Sequence, residues 1–401
     1  MATGAHATDG YFTHGTGAKA KGAGGAAIAS AQDALGIAAN PASAVDLGNR
    51  TDAGLELFSP NRSAAIHGNG VAPDATYSGN ASKLFANPEF GIVRQIDGRS
   101  AWGVAVYGNG GMNTDYTSNP FGRFGATRSA GVNLEQLFIS PTYAYRITDR
   151  QSIGISADIL VQAFYAHGIA PFASASQDPA NFSNRSQETV FGGGFRVGYL
   201  AHVTDKLTFG ASYKSKTKSG KFKKYAGLFA EGGGFDVPAS MGVGIGYQAT
   251  PALNLAFDVR QIDYSDVKSV GNPLSQLFLG KPFGSADGPG FGWRDVTSYK
   301  LGLNDKVSPD LTLRAGYSHA NQPIPASETF LNILAPATVQ DQYTVGATWT
   351  LKDNLELTGY ALLAPKKTVK GAGSIPSTFG GGEADISLSE TAIGLSLGWK
   401  H

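Results

Sequence analysis

From Asp52 to the C-terminus, apolar and polar residues alternate with a period of two, in short sets separated by turn-forming residues. Ala53, Leu55 and Leu57 share a face, as do Trp102, Val104 and Val106. Ile153, Ile155, Ala157, Ile159 and Val161 alternate with Gly154, Ser156 and Asp158. Leu253, Leu255, Phe257 and Val259 alternate with Asn254, Ala256, Asp258 and Arg260. The last set is Ile393, Leu395, Leu397 and Trp399. With a weaker set near 90–96, the pattern predicts fourteen strands.

The connections between sets fall into two classes. Asp97-Gly98, Thr148-Asp149-Arg150, Thr204-Asp205-Lys206, Thr250-Pro251, Val307-Ser308-Pro309-Asp310 and Lys352-Asp353-Asn354 are tight. They alternate with long connections at 60–88, 112–132, 166–190, 215–237, 264–296, 319–338 and 366–384. Short turns at one end and long loops at the other are the layout of an antiparallel transmembrane β-barrel. An even strand number lets the sheet close without an edge. A soluble sandwich or propeller also alternates, but has no need of one regular short/long asymmetry. Tyr213, Tyr247, Tyr317 and Trp349 lie near set ends and suit interfacial girdles. The fold class expected is all-β, a fourteen-stranded barrel over 51–401.

The first fifty residues do not follow the pattern. Residues 18–44 are rich in Gly and Ala, with short helical turns expected near 28–35 and a turn at Asn40-Pro41-Ala42. This segment, 1–50, is expected to sit in the lumen as a plug. Composition agrees: Gly is 54 of 401 residues, charged residues are 16%, the net charge is +1, and cysteine is absent. Disulfides and thiolate chemistry are thereby excluded. There is no global field for nucleic acid. Mean hydropathy is slightly negative, and no apolar run reaches the ~18 residues of a membrane helix. A barrel gives the same reading, because lipid-facing residues alternate with polar ones. Met1-Ala2-Thr3 lacks the charged and apolar regions of a signal peptide, so a mature chain with an added start is expected.

Candidate chemistry is sparse. Gly394-Leu395-Ser396-Leu397-Gly398 matches a nucleophile elbow but lies within an alternating strand. The seven histidines show no zincin spacing. No enzyme, cofactor or metal site is expected. Large apolar residues in the long loops are more informative: Phe172 and Phe182; Phe222, Tyr225, Leu228, Phe229 and Phe235; Leu274, Leu277, Phe278, Leu279, Phe283 and Phe291. Such clusters either pack together as a lid or form a binding surface. Lys214, Lys216, Lys218, Lys221, Lys223 and Lys224 form a basic ribbon, a solvated extension or a contact for lipopolysaccharide phosphates. Strand phase turns Asp158, Arg196, Asp258, Arg260, Lys300 and Arg314 inward, where they should pair with one another or with the plug. Lys300 and Arg314, on adjacent strands, are the candidates for holding a carboxylate.

Several motifs resemble the FadL/TodX family of outer-membrane transporters. They include Gly10-Tyr11-Phe12-Thr13-His14-Gly15, Gly17-Ala18-Lys19-Ala20-Lys21-Gly22, Gln32-Asp33-Ala34, Asn40-Pro41-Ala42 and Leu57-Phe58-Ser59-Pro60. Asp287-Gly288-Pro289-Gly290-Phe291-Gly292-Trp293, Thr368-Val369-Lys370-Gly371 and Phe379-Gly380-Gly381-Gly382-Glu383-Ala384 add to them. The resemblance covers the whole chain. It implies a monomeric barrel in the bacterial outer membrane, closed by an N-terminal hatch. It implies passive uptake of long-chain fatty acids or hydrophobic compounds such as aromatic hydrocarbons. Capture by apolar loops is followed by lateral exit at an inward kink of the third strand. Carried over, the kink falls at Asn109-Gly110-Gly111, where paired glycines also suit a bulge, and the hatch element facing it would be Asn40-Pro41-Ala42. Loop residues Phe222, Tyr225, Phe229, Phe235, Leu277 and Phe278 become ligand candidates. Such barrels usually end in an aromatic residue, whereas here Trp399-Lys400 is followed by His401. A polar porin and a structural or adhesive barrel are the alternatives.

Overall fold

The computed structural model describes residues 9–351 and 354–401. Thr8, the Met1-Ala2-Thr3 start and two residues of the expected turn Lys352-Asp353-Asn354 lie outside them. Fourteen strands form the wall. They are β1 (Arg50–His67), β2 (Phe85–Gln95), β3 (Ser100–Tyr116), β4 (Ala130–Thr148), β5 (Gln151–His167), β6 (Glu188–His202) and β7 (Leu207–Lys214). Then follow β8 (Ser240–Gln248), β9 (Leu253–Ile262), β10 (Val296–Lys306), β11 (Leu311–Ala320), β12 (Asp341–Thr350), β13 (Leu355–Val369) and β14 (Glu383–Lys400). Each pairs antiparallel with its neighbour in sequence. β14 pairs with β1 from Arg50↔Lys400 to His67↔Glu383, which closes the sheet. Two short strands, Ala75–Ser78 and Lys218–Ser219, extend β1 and β6 at the long-loop end.

Alternation decides what faces out. Leu55, Ile155, Val243, Leu301, Val345 and Leu395 are exposed around the circumference, as a lipid-facing band requires. Tyr213 and Tyr317 are exposed toward the long-loop end, Tyr247 and Trp349 toward the short-turn end. The strands run past the limits that alternation sets. β1 continues to His67, β3 to Tyr116 and β13 to Val369, where loops are expected from 60, 112 and 366. Above the lipid the outer face no longer has to be apolar, so the period-two signal fades while the hydrogen-bond ladder continues.

Residues 9–49 form no strand. Their helical turns are Ala18–Gly22, Ala34–Ala38 and Pro41–Val45; the turn expected near 28–35 begins only at Ala34. Asn40 is extended, and its side chain accepts from the Ala42 amide at 3.1 Å with Pro41 opening the turn. Most of this segment is buried, against the inner face of the wall. Glycines on that face make room for its backbone: a Cβ at Gly316 would overlap the Gly24 amide, and one at Gly154 would overlap Pro41 and Ala42. The high glycine content is thus partly a fit between lumen wall and segment.

Charge locks the fit. Lys21 pairs with Glu56 at 3.2 Å and Glu89 at 3.3 Å, and Lys19 with Glu356 at 2.6 Å, all buried. Asp258 accepts from the Ala27 and Ile28 amides at 2.7 and 2.9 Å. Asp52 accepts from the Ala34 amide at 2.8 Å. Removing one partner of a buried pair leaves a charge uncompensated, at about 3–5 kcal/mol. Lys21→Met is therefore expected to loosen the segment by about that much while leaving the strands intact. Limited proteolysis should cut the first fifty residues of the variant faster, with an unchanged far-ultraviolet circular dichroism spectrum.

Candidate functional site

β3 begins as an ordinary wall strand. It pairs with β2 from Gln95↔Ala101 to Phe90↔Val106, and there the pairing stops. β2 continues to Phe85 bonded only to β1. β3 continues to Tyr116 bonded to β4, with a register shift between Gly108 and Gly110 that leaves Asn109 as the extra residue. From Asn109 to Thr114 the strand is buried without alternation. This is an inward bulge, as expected at Asn109-Gly110-Gly111. It leaves residues 85–89 of β2 and 107–114 of β3 without a ladder between them, among the described residues. Above this gap the chain closes again. Asn80 bridges to Asp115, and the Ala81 amide donates to the Asp115 carbonyl at 3.1 Å. Arg62 spans the gap, donating to Asn80, the Ser82 carbonyl and both oxygens of Asn113.

The backbone freed by the bulge is taken by residues 9–13. The Thr13 amide donates to the Asn109 carbonyl at 2.8 Å, and the Gly111 amide donates to the Tyr11 carbonyl at 2.9 Å. Phe12 and Gly110 form the bridge between them. Gly110 has φ 135°, and a Cβ there would overlap the Tyr11 carbonyl, so both conformation and space call for glycine. The expected partner was Asn40-Pro41-Ala42; that contact is not made. Asn40 donates to the carbonyls of Ile28 and Tyr199, and Pro41 and Ala42 press on Gly154 and Gly198, across β5 and β6. The Asn-Pro turn needs glycines opposite it, and β5 and β6 supply them as well as β3 does. The same motif therefore fitted two places, and the sequence did not choose between them.

Residues 9–13 are held in turn by Tyr264. Its hydroxyl donates to the Asp9 carbonyl at 2.5 Å and accepts from the Tyr11 and Phe12 amides at 3.0 and 3.3 Å. Lys300 pairs with Asp9 at 2.8 Å and also donates to the His14 carbonyl. Arg314 donates to Thr348 at 2.6 Å and to Gln32 at 2.9 Å. The two cations singled out as carboxylate ligands thus hold the N-terminal segment. Arg196 is paired with Asp158 at 3.3 Å.

Three cavities surround this junction. The first lies among the long loops and is almost wholly apolar; Phe121, Phe164, Phe172, Phe182, Phe229 and Phe283 line it. Of the six ligand candidates only Phe229 lines it, together with the loop residues Phe172, Phe182, Leu228, Phe283 and Phe291. Phe222, Tyr225 and Phe235 are fully buried beside it, ring on ring with Phe164 and Phe229 at 4.7–6.1 Å. Leu277 packs at the edge of the core, and Phe278 is half-exposed. The loop apolars therefore act mostly as a lid, with the cavity enclosed beneath. Phe164 was missed, although it keeps the inward phase of β5 above the lipid band.

The second cavity lies in the lumen and carries the charges, lined by Thr13, His14, Asn109, Lys214, Arg260 and Lys300 among others. Burial, with Lys300 and Lys21 nearby, pushes the His14 imidazole down to about 4, so it is neutral and donates Nε2–H to the Lys21 carbonyl at 3.2 Å. Lys214 does not belong to the basic loop ribbon. It is buried, donates to Asn109 at 3.3 Å, and lies 3.6 Å from the centre of the Phe138 ring. Its phase was legible, since Tyr213 faces out and the next residue must face in. Neither Lys214 nor Arg260 has a carboxylate within 4.0 Å among the described residues. The third, with room for about one water, lies between bulged β3 and the wall of β1 and β14.

Solved structures with this fold include the toluene transporter TodX of Pseudomonas putida, with TM-score 0.70, 18% identity, and 97% of this chain and 99% of that chain covered. A Pseudomonas aeruginosa FadL homologue gives TM-score 0.72, 17% identity, and 98% and 99% covered. The Ralstonia pickettii toluene transporter TbuX gives 0.66, 17%, and 96% and 98%. No curated protein matches the chain in sequence. The family model described as outer membrane protein transport protein (OMPP1/FadL/TodX) matches residues 3–400. The chain therefore belongs to the OMPP1/FadL/TodX family of outer-membrane transport proteins.

Proposed function

We propose that the protein takes up hydrophobic compounds passively across the outer membrane, and that they leave sideways through the wall between β2 and β3. The observation that carries this reading is the interrupted β2–β3 ladder beside an inward bulge. A barrel has no structural need to break its own pairing, since every unpaired backbone group in lipid costs several kcal/mol. The apolar cavity under the loops supports capture of a compound with little polar surface. The N-terminal segment acts as a plug, and residues 9–13 are its movable part, standing between the lumen cavity and the gap. Structures of related fold whose proteins transport toluene fit the same class of cargo. A polar porin fits less well, because the lumen is occupied by buried, charge-locked chain.

Gly110→Val with Gly111→Val is expected to push residues 9–13 aside or straighten β3, and to lower uptake of labelled toluene or oleate in whole cells by at least about tenfold, an effect of ~1.4 kcal/mol. The barrel should still assemble, with an unchanged far-ultraviolet circular dichroism spectrum. Wild-type uptake by the double variant would end the lateral route.

The lumen cations favour a second cargo. Lys214 and Arg260 face the lumen cavity with no carboxylate within 4.0 Å among the described residues, so an anionic head group can dock there while its tail stays apolar. If a carboxylate is carried, Lys214→Met lowers oleate uptake several-fold and leaves toluene uptake unchanged. Equal effects on both compounds would remove the carboxylate from the cargo.

A further inference from the structure

A file of side-chain amides runs inside the barrel from the bulge to the long loops. Lys214 Nζ donates to Asn109 Oδ1 at 3.3 Å, and Asn109 Nδ2 donates to Gln136 Oε1 at 3.0 Å. Gln136 Nε2 donates to Gln162 Oε1 at 2.7 Å, and Gln162 Nε2 to the Phe235 carbonyl at 3.0 Å. Asn109, Gln136 and Gln162 are buried on neighbouring strands β3, β4 and β5, with Gln136 opposite Gln162 in the ladder. The ends fix the direction of the file. An ammonium only donates and a backbone carbonyl only accepts, so all three amides must point the same way. The Phe235 carbonyl is itself held in its loop, where it also accepts from the Ser219 hydroxyl at 2.9 Å.

One end of the file bears on the opening. Asn109 is the extra residue of the bulge: Gly108 pairs with Leu137 and Gly110 with Gln136, and Asn109 is skipped. A residue left out of the ladder is oriented by what its side chain bonds, and the Asn109 carbonyl is the acceptor for the Thr13 amide. The other end bears on the lid. The Phe235 ring lies 4.8 Å from that of Phe229, which lines the apolar cavity, and 6.0 Å from that of Tyr11 in the N-terminal segment. The cavity has room for no more than a few waters, so an aromatic ring enters it only by moving the lid aromatics.

We infer that Gln136 and Gln162 are positioning residues of the lateral opening: they tie the orientation of Asn109, and with it the hold on residues 9–13, to the seat of Phe235 in the lid. When cargo displaces Phe235, the Gln162 N–H loses its acceptor, and a buried donor left unpaired is costly. The amides are then free to turn over, Asn109 is held by Lys214 alone, and the Thr13 bond weakens. Capture under the lid and release at β3 are thereby coupled through one connected element. The inference rests on the lateral-uptake reading, which makes residues 9–13 the movable part.

The chain has no cysteine, so a single Thr13→Cys, labelled by a maleimide in the full-length barrel in lipid vesicles, reports the parting of the segment from β3. Thr13 is buried. Labelling should be slow, and about fivefold faster with toluene, the worth of one hydrogen bond. Gln162→Met and Gln136→Met, each close to glutamine in size, should give the faster labelling without toluene, and toluene should then add little. The two together should do no more than either alone, since one relay is broken only once. Ser43→Cys, in the buried turn Pro41–Val45, reports general loosening and should stay slow in every background. Slow, toluene-responsive labelling of Thr13→Cys in both methionine variants overturns the relay, and so does equal acceleration at Thr13→Cys and Ser43→Cys. Toluene without effect on Thr13→Cys when both glutamines are present overturns it too. The lateral route is decided separately, by uptake in the Gly110 and Gly111 double variant.

Discussion

A strand can leave the wall of a membrane barrel only if its backbone finds other partners, because lipid offers none. β3 does leave, at Asn109-Gly110-Gly111, and residues 9–13 supply what β2 withholds. The Thr13 amide and Tyr11 carbonyl take the Asn109 carbonyl and Gly111 amide. Much else follows from that exchange. The segment must reach the bulge, so the lumen must admit it, and glycines on the inner face give it space. It must stay there, so Lys300 and Tyr264 hold Asp9 to Phe12, while Lys19 and Lys21 tie the following helix to β13, β1 and β2.

The same exchange makes the junction a place where opening is feasible. Removing residues 9–13 does not break a barrel ladder. It gives up the two backbone bonds to β3, the Lys300–Asp9 pair and the bonds to the Tyr264 hydroxyl. The apolar cavity lies on one side of the aromatic cluster of Tyr11, Phe12, Tyr264 and Trp293, whose ring centres are 5.1–5.8 Å apart. The polar cavity with Lys214 and Arg260 reaches the segment at Thr13 and His14.

The barrel was legible because lipid imposes a strict rule on every outward residue. Leu55, Ile155 and Leu395 could be read in sequence and are exposed in the structure. Strand ends were less legible, since the rule lapses above the lipid, where Phe164 and Arg62 face inward under loops. The bulge could be read from Gly110-Gly111, because positive φ demands glycine. Its partner could not. Asn40-Pro41-Ala42 and Tyr11-Phe12-Thr13 are both small pieces of irregular chain, and only tertiary distance separates β5 and β6 from β3. Lys300 and Arg314 were placed correctly in the lumen, but local pattern cannot count the partners a cation has. Asp9 lies far away in sequence from the Lys300 it neutralises.

The central claim is that residues 9–13 must part from β3 for cargo to pass. The chain has no cysteine, so a designed pair reports cleanly. Thr13 and Asn109 are joined by a backbone bond between the segment and β3, and antiparallel partners so bonded lie about 5.5 Å apart at Cα, a span that a disulfide takes. Uptake of labelled toluene is measured in cells carrying Thr13→Cys with Asn109→Cys, oxidised and then reduced. The account predicts uptake near the level of cells without the protein when the bond is formed, and recovery on reduction. Full uptake by the oxidised protein would contradict it.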